Sequence, residues 1–300
     1  MSQQSNLVGS LWMVAGGLLF VAVTISVRYL GSDLPAVEAA FIRYLIGIVL
    51  LLPAIWHMRG RLLRNGNMKM YVSRGVVHGV AVMMWFYAMA RIPLAEVTAI
   101  GFSTPVFTAL GAIFIFGEQV RARRMLAIAA GFVGTLIILR PGFQSIEAGS
   151  LAQLVAAVFF AASVLFAKHM TRSASSADIL VMLTIFCALA LLPGAIYYWR
   201  EPTFGEIAGL ALVAVFATAG HYAITRAIAA APLTVTQPLS FMQLIWAILF
   251  GYLLFDEVPD TWVIVGGLVI VAAVSYLAHR EARAARLKKL QSATTPVSPG

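Results

Sequence analysis

Apolar residues run through this chain in long blocks, and the polar, glycine and proline residues fall mostly between the blocks. Blocks near 7–28, 35–56, 70–90, 94–116 and 123–140 are followed by a second set near 149–168, 178–199, 204–226, 233–255 and 260–279. About 20 apolar residues, rising ~1.5 Å each as a helix, cross a ~30 Å hydrocarbon layer. The pattern therefore predicts ten transmembrane helices. The punctuation agrees: Gly31-Ser32 before Pro35, Gly60 and Gly66 in a basic loop, Pro141-Gly142, Glu201-Pro202 and Pro259-Asp260.

One block is not uniformly apolar. Within 232–257, Gln237, Ser240 and Gln243 recur every third residue on one helix face, and Pro238 removes a backbone donor beside them. Such a face is expected to border protein or water, because lipid leaves polar groups without partners. The stretch also has a twin. Residues 93–118 align with it without a gap at an offset of 139, matching Pro93 with Pro232, Leu94 with Leu233, Phe102 with Phe241, Phe116 with Phe255 and Glu118 with Glu257. Upstream, Gly9-Ser10-Leu11 corresponds to Gly149-Ser150-Leu151, and Arg28 to Lys168. Two matches at nearly one offset predict an internal duplication. The expected units are residues 1–140 and 141–280, each of five helices, then a basic, Ser/Thr/Pro-rich tail over 281–300 with the composition of a disordered segment.

Composition strengthens the membrane reading: 61% of the residues are hydrophobic and 11% charged, and the mean hydropathy is +0.91. A soluble domain carries ~25% charged residues. The single cysteine, Cys187, excludes an intrachain disulfide. Charge then sets orientation. With a cytoplasmic N-terminus, sixteen Lys and Arg fall in inner loops and the tail, against five (Arg28, Arg43, Arg91, Arg140 and Arg200) on the other side and its adjoining spans. That asymmetry predicts that both termini are cytoplasmic, and it assigns the net charge of +9 to orientation, not nucleic-acid binding. Five spans per repeat is an odd number, so the second repeat enters from the opposite side. Inverted halves are the architecture of alternating access around a midplane site.

These residues resemble a family. The Pro-to-Glu segment ending Phe116-Gly117-Glu118, its copy ending Phe255-Asp256-Glu257, and Arg43-Tyr44 followed by an apolar run to Pro53 are similar to the EamA-type branch of the drug/metabolite transporter superfamily, over about residues 7–280. The resemblance implies an all-α membrane fold of ten helices, arranged as two inverted five-helix repeats around a central cavity. It also implies that the third, fourth, eighth and ninth helices line that cavity, and that a small metabolite is moved, most nearly as in bacterial amino-acid and metabolite exporters. For Arg43 it implies helix anchoring. Asp256 departs from the first repeat, which has Gly117 there.

The candidate substrate-binding residues lie in those helices. His78 sits within a Gly75-x-x-x-Gly79 spacing that permits close helix approach. An ionisable ring at membrane depth is a functional candidate, and a histidine hydrogen-bonded between packed helices is the structural alternative. Trp85, Tyr87, Thr98, Ser103 and Thr104 can share its space, and His221 and Tyr222 form the second-half counterpart. Gln237, Gln243 and Trp246 of the ninth span offer uncharged hydrogen-bonding groups and an aromatic wall suited to a zwitterion or heteroaromatic solute. Glu38 and Arg43, five apart, can neutralise each other if buried, and Glu96 with Arg91 can form a gate pair or a solvated corner.

No His-Glu-x-x-His, paired cysteines, phosphate-cradling glycine loop or ATP-binding domain is present in the sequence. No resident cofactor or metal is expected. An intramembrane hydrolase built on Ser103 or Ser240 with His78 or His221 lacks a local motif. The expectation is a carrier, not an enzyme, for a small-molecule substrate such as an amino acid. Protons are the favoured coupling ion if either histidine takes part. A vitamin, nucleoside or drug-like solute is the alternative cargo.

Overall fold

The computed structural model describes residues 3–31, 33–57, 68–116, 122–140, 146–170, 174, 176–230 and 239–294. Among these the chain is helical, without strands: α1 (Gln3–Leu30), α2 (Ala36–His57), α3 (Met68–Met89), α4 (Leu94–Gly101), α5 (Thr104–Phe116), α6 (Ala122–Leu139), α7 (Ala148–Met170), α8 (Ser176–Tyr197), α9 (Phe204–Ala230), α10 (Met242–Phe255) and α11 (Thr261–Thr294). Seven spans are long and apolar enough to cross a membrane, with α4 and α5 counted together, and three shorter apolar helices at 125–139, 242–255 and 261–276 complete ten. Trp56, Tyr197, Tyr198, Trp199, Phe204 and Trp262 are exposed at helix ends, where amphipathic rings meet the bilayer interface.

The fourth span is broken between α4 and α5. Pro105 cannot donate to the carbonyl four residues back, and just before it the Ser103 amide donates to Ile100 O at 2.9 Å, with the Ser103 hydroxyl donating to the same carbonyl. Ser103 Oγ also lies 3.2 Å from Thr135 Oγ1 of α6. This break is protected by protein.

Helix packing repeats itself between the halves. α1 lies along α9 as α7 lies along α3, and α3 touches α8 as α9 touches α2. α5 meets α7 as α10 meets α1, while α2–α8 and α6–α11 are each a helix against its own counterpart, and α4 packs on α10. Exchanging the halves maps this pattern onto itself. The aligned residues Phe102 and Phe241 pack edge-to-face on that axis, their centroids 5.1 Å apart.

Contacts at one face of the bundle show the inversion directly. α1 ends there, with Arg28 paired to Glu257 at 3.0 Å, whereas its counterpart α7 begins there, where Ser150 donates to Glu96. α2 begins there, Glu38 accepting the Arg200 amide at 3.0 Å just beyond the end of its counterpart α8. Glu257 accepts the Leu94 amide at 2.8 Å, and Arg28 donates to Ile92 O at 3.3 Å, so one carboxylate joins α1, α4 and α10. Burial pushes the Glu257 carboxyl up from its ordinary value, only partly offset by the Leu94 amide and Arg28. A half-buried pair of this kind positions the helices more than it stabilises them.

Asp256, just before it, has φ +54°, and the next amide returns to Gly251 O at 3.1 Å. A helix C-terminus closed this way favours glycine, which is what the first repeat has at Gly117.

Several expectations change. Glu38 and Arg43 do not pair: Glu38 caps the α8–α9 connection, and the same register places the acid Asp178 at the start of α8. Arg91 sits 3.8 Å from the Tyr87 ring centroid and donates to Tyr87 O, so it makes no gate pair with Glu96. The last helix continues past 279 to Thr294, because 281–290 (Glu-Ala-Arg-Ala-Ala-Arg-Leu-Lys-Lys-Leu) is built of strong helix formers.

Glycines set the closest helix crossings. A Cβ on Gly266 would stand 2.5 Å from Gly134 O, and one on Gly134 would stand 2.8 Å from Gly266 O, so α6 and α11 touch backbone to backbone. Gly266→Val is expected to lower stability by about 1–3 kcal/mol, read as earlier thermal unfolding in detergent. Gly205→Ala, where the nearest atom is 4.0 Å away, serves as the unaffected control.

Candidate functional site

Between α2, α3, α8 and α9 lies a cavity of about 40 Å³. Its polar lining is Arg43 and Tyr44 of α2, His78 of α3, Thr184 of α8, and Thr218 and His221 of α9. Leu51, Leu180 and Leu183 supply apolar wall. At ~10–15 Å³ each it holds a few waters. Metabolite sites enclose roughly 300–1,000 Å³, so the cavity as it stands is smaller than such a site.

Each polar group is fixed from behind. The Arg43 guanidinium carbon is 4.2 Å from the Tyr44 ring centroid, a cation–π contact that holds the charge against α2. His78 Nδ1 is 2.9 Å from Ser163 Oγ of α7, and the His78 ring packs edge-on to Phe160, centroids 5.2 Å apart. Trp85 continues that wall, 6.0 Å from Phe160. One turn before His78, Arg74 donates to Ser163 O and Ile179 O, each at 3.3 Å, and locks α3 to α7 and α8. His221 packs edge-to-face on Phe20 of α1, centroids 5.0 Å apart. The outcome is one fixed guanidinium, two imidazoles and three hydroxyls around a small space with apolar walls. Such a set suits an anionic or zwitterionic group, the planar fork of Arg43 matching a carboxylate best.

Of the residues singled out in sequence, His78 and His221 line this cavity, and Trp85 stands behind His78. The others are placed elsewhere. Tyr87 lies under Arg91. Thr98 is buried and donates back to Leu94 O at 2.9 Å. Ser103 serves the α4–α5 break, and Thr104 accepts at its carbonyl from Thr108 Oγ1. Tyr222 is exposed beside Trp12. Gln243 faces Gly17 of α1, its Cβ 3.9 Å from where a Gly17 Cβ would stand. Trp246 has its indole N–H buried without a hydrogen-bond partner. Gln237 lies outside the described residues.

Among the described residues the second, third, seventh and eighth spans line this cavity, and the third and eighth are among the four expected around the solute. α4 and α10 pack on each other through Phe102 and Phe241. Arg43 was expected to anchor a helix, and Tyr44, Thr184 and Thr218 were not singled out. A signal for three of them was present: at an offset of 140, Glu38 aligns with Asp178 and Pro53 with Pro193, which puts Arg43-Tyr44 opposite Leu183-Thr184 in equivalent spans. An arginine in the apolar run of one repeat, with leucine in the other, is a charge that the shared scaffold does not require.

A model of the EamA-like transporter family matches residues 7–140 and again 147–278. The chain belongs to the EamA-like transporter family. It is 26% identical to the S-adenosylmethionine uptake transporter of Rickettsia bellii, over 92% of this chain and 95% of that one. It is 29% identical to the riboflavin transporter of Brucella anthropi, over 91% and 99%. The pseudopaline exporter CntI of Pseudomonas aeruginosa is 26% identical over 88% and 94%. A solved crystal structure at 16% identity superposes with a TM-score of 0.58 over 93% of this chain and 99% of its own, which shows the shared fold. The protein is thus a multi-pass membrane transporter of small metabolites.

This placement of the EamA cavity predicts a labelling pattern. With Cys187, which is fully buried, replaced by serine, Thr218→Cys is expected to react with a small water-soluble thiol reagent at least about tenfold faster than Ser103→Cys. Equal rates would move the aqueous path away from α9.

Proposed function

We propose that this EamA transporter moves amino acids and amino-acid-derived metabolites by alternating access, exporting them across a bacterial inner membrane with both termini cytoplasmic. The observation that supports the cargo is the Arg43 guanidinium in the cavity, flanked by His78 and His221. A charge at membrane depth needs a counter-group, and a solute carboxylate supplies one. The Phe160–Trp85 wall beside His78 offers an apolar or ring-bearing side chain a surface. Sixteen basic residues against five support the orientation. A second reading, uptake of a heteroaromatic cofactor or vitamin, is favoured by that aromatic wall together with relatives whose names specify S-adenosylmethionine and riboflavin.

Purified protein in liposomes, assayed with a labelled panel of amino acids, S-adenosylmethionine and riboflavin, separates the two. Flux of amino acids, with Arg43→Gln lowering kcat/KM by about 10–100-fold, is the expected result, since a hydrogen bond to a charged group contributes ~1.5–3 kcal/mol. Flux of riboflavin alone, insensitive to Arg43, overturns the amino-acid assignment. Transport from lumen to bath in right-side-out vesicles checks the export direction.

A further inference from the structure

A second polar cluster lies apart from the cavity, between α4 and α7. Glu96, in the first turn of α4, accepts a hydrogen bond from Ser150 Oγ. One turn further along the same face of α7, Gln153 is 3% exposed, and its Oε1 is buried with no hydrogen-bond partner. Its amide nitrogen packs on α4, 3.1 Å from where a Gly101 Cβ would stand, so α4 has glycine where this side chain crosses. Along the α4–α7 contact there are therefore a carboxylate, a hydroxyl and, one turn further on, an orphaned amide oxygen. A buried acceptor without a donor is costly and calls for an explanation.

The repeat supplies the contrast that separates scaffold from chemistry. Ser150 has its counterpart in Ser10, but Glu96 aligns with Val235 and Gln153 with Met13. Met13 is itself buried, so the fold needs no polar atom at this position. Glu38 is the reverse case: its counterpart Asp178 is also acidic, and Glu38 caps a backbone amide.

The charged groups that could neutralise Glu96 are engaged. Arg140, at the end of α6, pairs with Asp260 before α11. Arg28 pairs with Glu257 after α10, and Arg91 lies on the Tyr87 ring after α3. Glu147, ahead of α7, adds negative charge. Among the described residues no cation pairs with Glu96.

We propose that Glu96, Ser150 and Gln153 form a site for a monovalent cation, a proton or a sodium ion, which couples this transporter to an ion gradient. Oxygen donors of these three kinds suit either cation: sodium is held by all of them, and a proton on Glu96 turns an acceptor-only carboxylate into a donor. One acidic site between α4 of one half and α7 of the other, with no symmetry mate, provides one coupling event per cycle. This inference rests on membership of a transporter family and not on the identity of the solute.

The test measures cation uptake by full-length protein in detergent with no solute present, so it is independent of the Arg43 reading. Binding of radioactive sodium is followed in one arm, and proton uptake after a pH jump, by indicator dye, in the other. Wild type is expected to take up one of the two cations, with Glu96→Gln losing that uptake and Gln153→Met weakening its affinity by about tenfold or more. Thermal unfolding checks that both variants are folded. If Glu96→Gln fails to fold, Gln153→Met decides alone, since methionine is the residue its counterpart position holds. Uptake of sodium identifies a sodium site, and uptake of protons only identifies a proton site. Uptake that is equal in wild type and Glu96→Gln, or unchanged affinity in Gln153→Met, overturns the proposal.

Discussion

In hydrocarbon, a backbone amide or carbonyl has no water to turn to, and this constraint governs every departure from a continuous helix in the chain. Where Pro105 interrupts the fourth span, the Ser103 amide and hydroxyl cover the Ile100 carbonyl, and Thr135 of α6 stands beside them. Where α10 ends, Asp256 adopts a left-handed conformation so that the Glu257 amide can reach Gly251 O. Side chains that look like binding groups in a list of polar residues are in several cases helix repair. Thr98 donating to Leu94 O and Ser103 donating to Ile100 O spend their donors in this way, and both are buried away from the described cavity.

Symmetry separates what holds the fold from what acts in it. Helix pairs related by exchange of the halves pack alike, and the residues that keep their chemistry between repeats have structural duties. Phe102 meets Phe241, Pro53 repeats as Pro193, and Glu38, capping the α8–α9 connection, repeats as Asp178. Residues that break the symmetry collect at two places. Arg43 stands opposite Leu183 in the central cavity, and Glu96 with Gln153 stands opposite Val235 and Met13 between α4 and α7. An inverted repeat can be two-fold in its packing while its polar and charged groups are not.

The central cavity is small, and its groups are restrained by partners that do not line it. Arg74 ties α3 to α7 and α8, Ser163 holds His78, and Phe20 braces His221. At the face where α1 ends, Glu257 gathers α1, α4 and α10. The Arg28–Glu257 pair ends α1 with little net stabilisation, since a half-buried ion pair gains about what its desolvation costs.

Hydropathy, the 139–140 residue repeat and its odd number of spans determined by themselves that the chain crosses a membrane ten times in two opposed halves. Length and periodicity along the chain express those properties, so local sequence is enough. The candidate site was legible only in part. His78 and His221 stand out as ionisable rings in apolar runs, but Thr98, Ser103 and Gln243 have the same apparent polarity, and a helix face is chosen by its neighbours. That α4 and α10 pack on each other, leaving α2, α3, α8 and α9 to enclose the cavity, depends on which helices pair across the two-fold axis. Pairing between residues more than a hundred positions apart arises only when the halves dock, and it is this docking that turned Arg43 inward and left Gln153 without a partner.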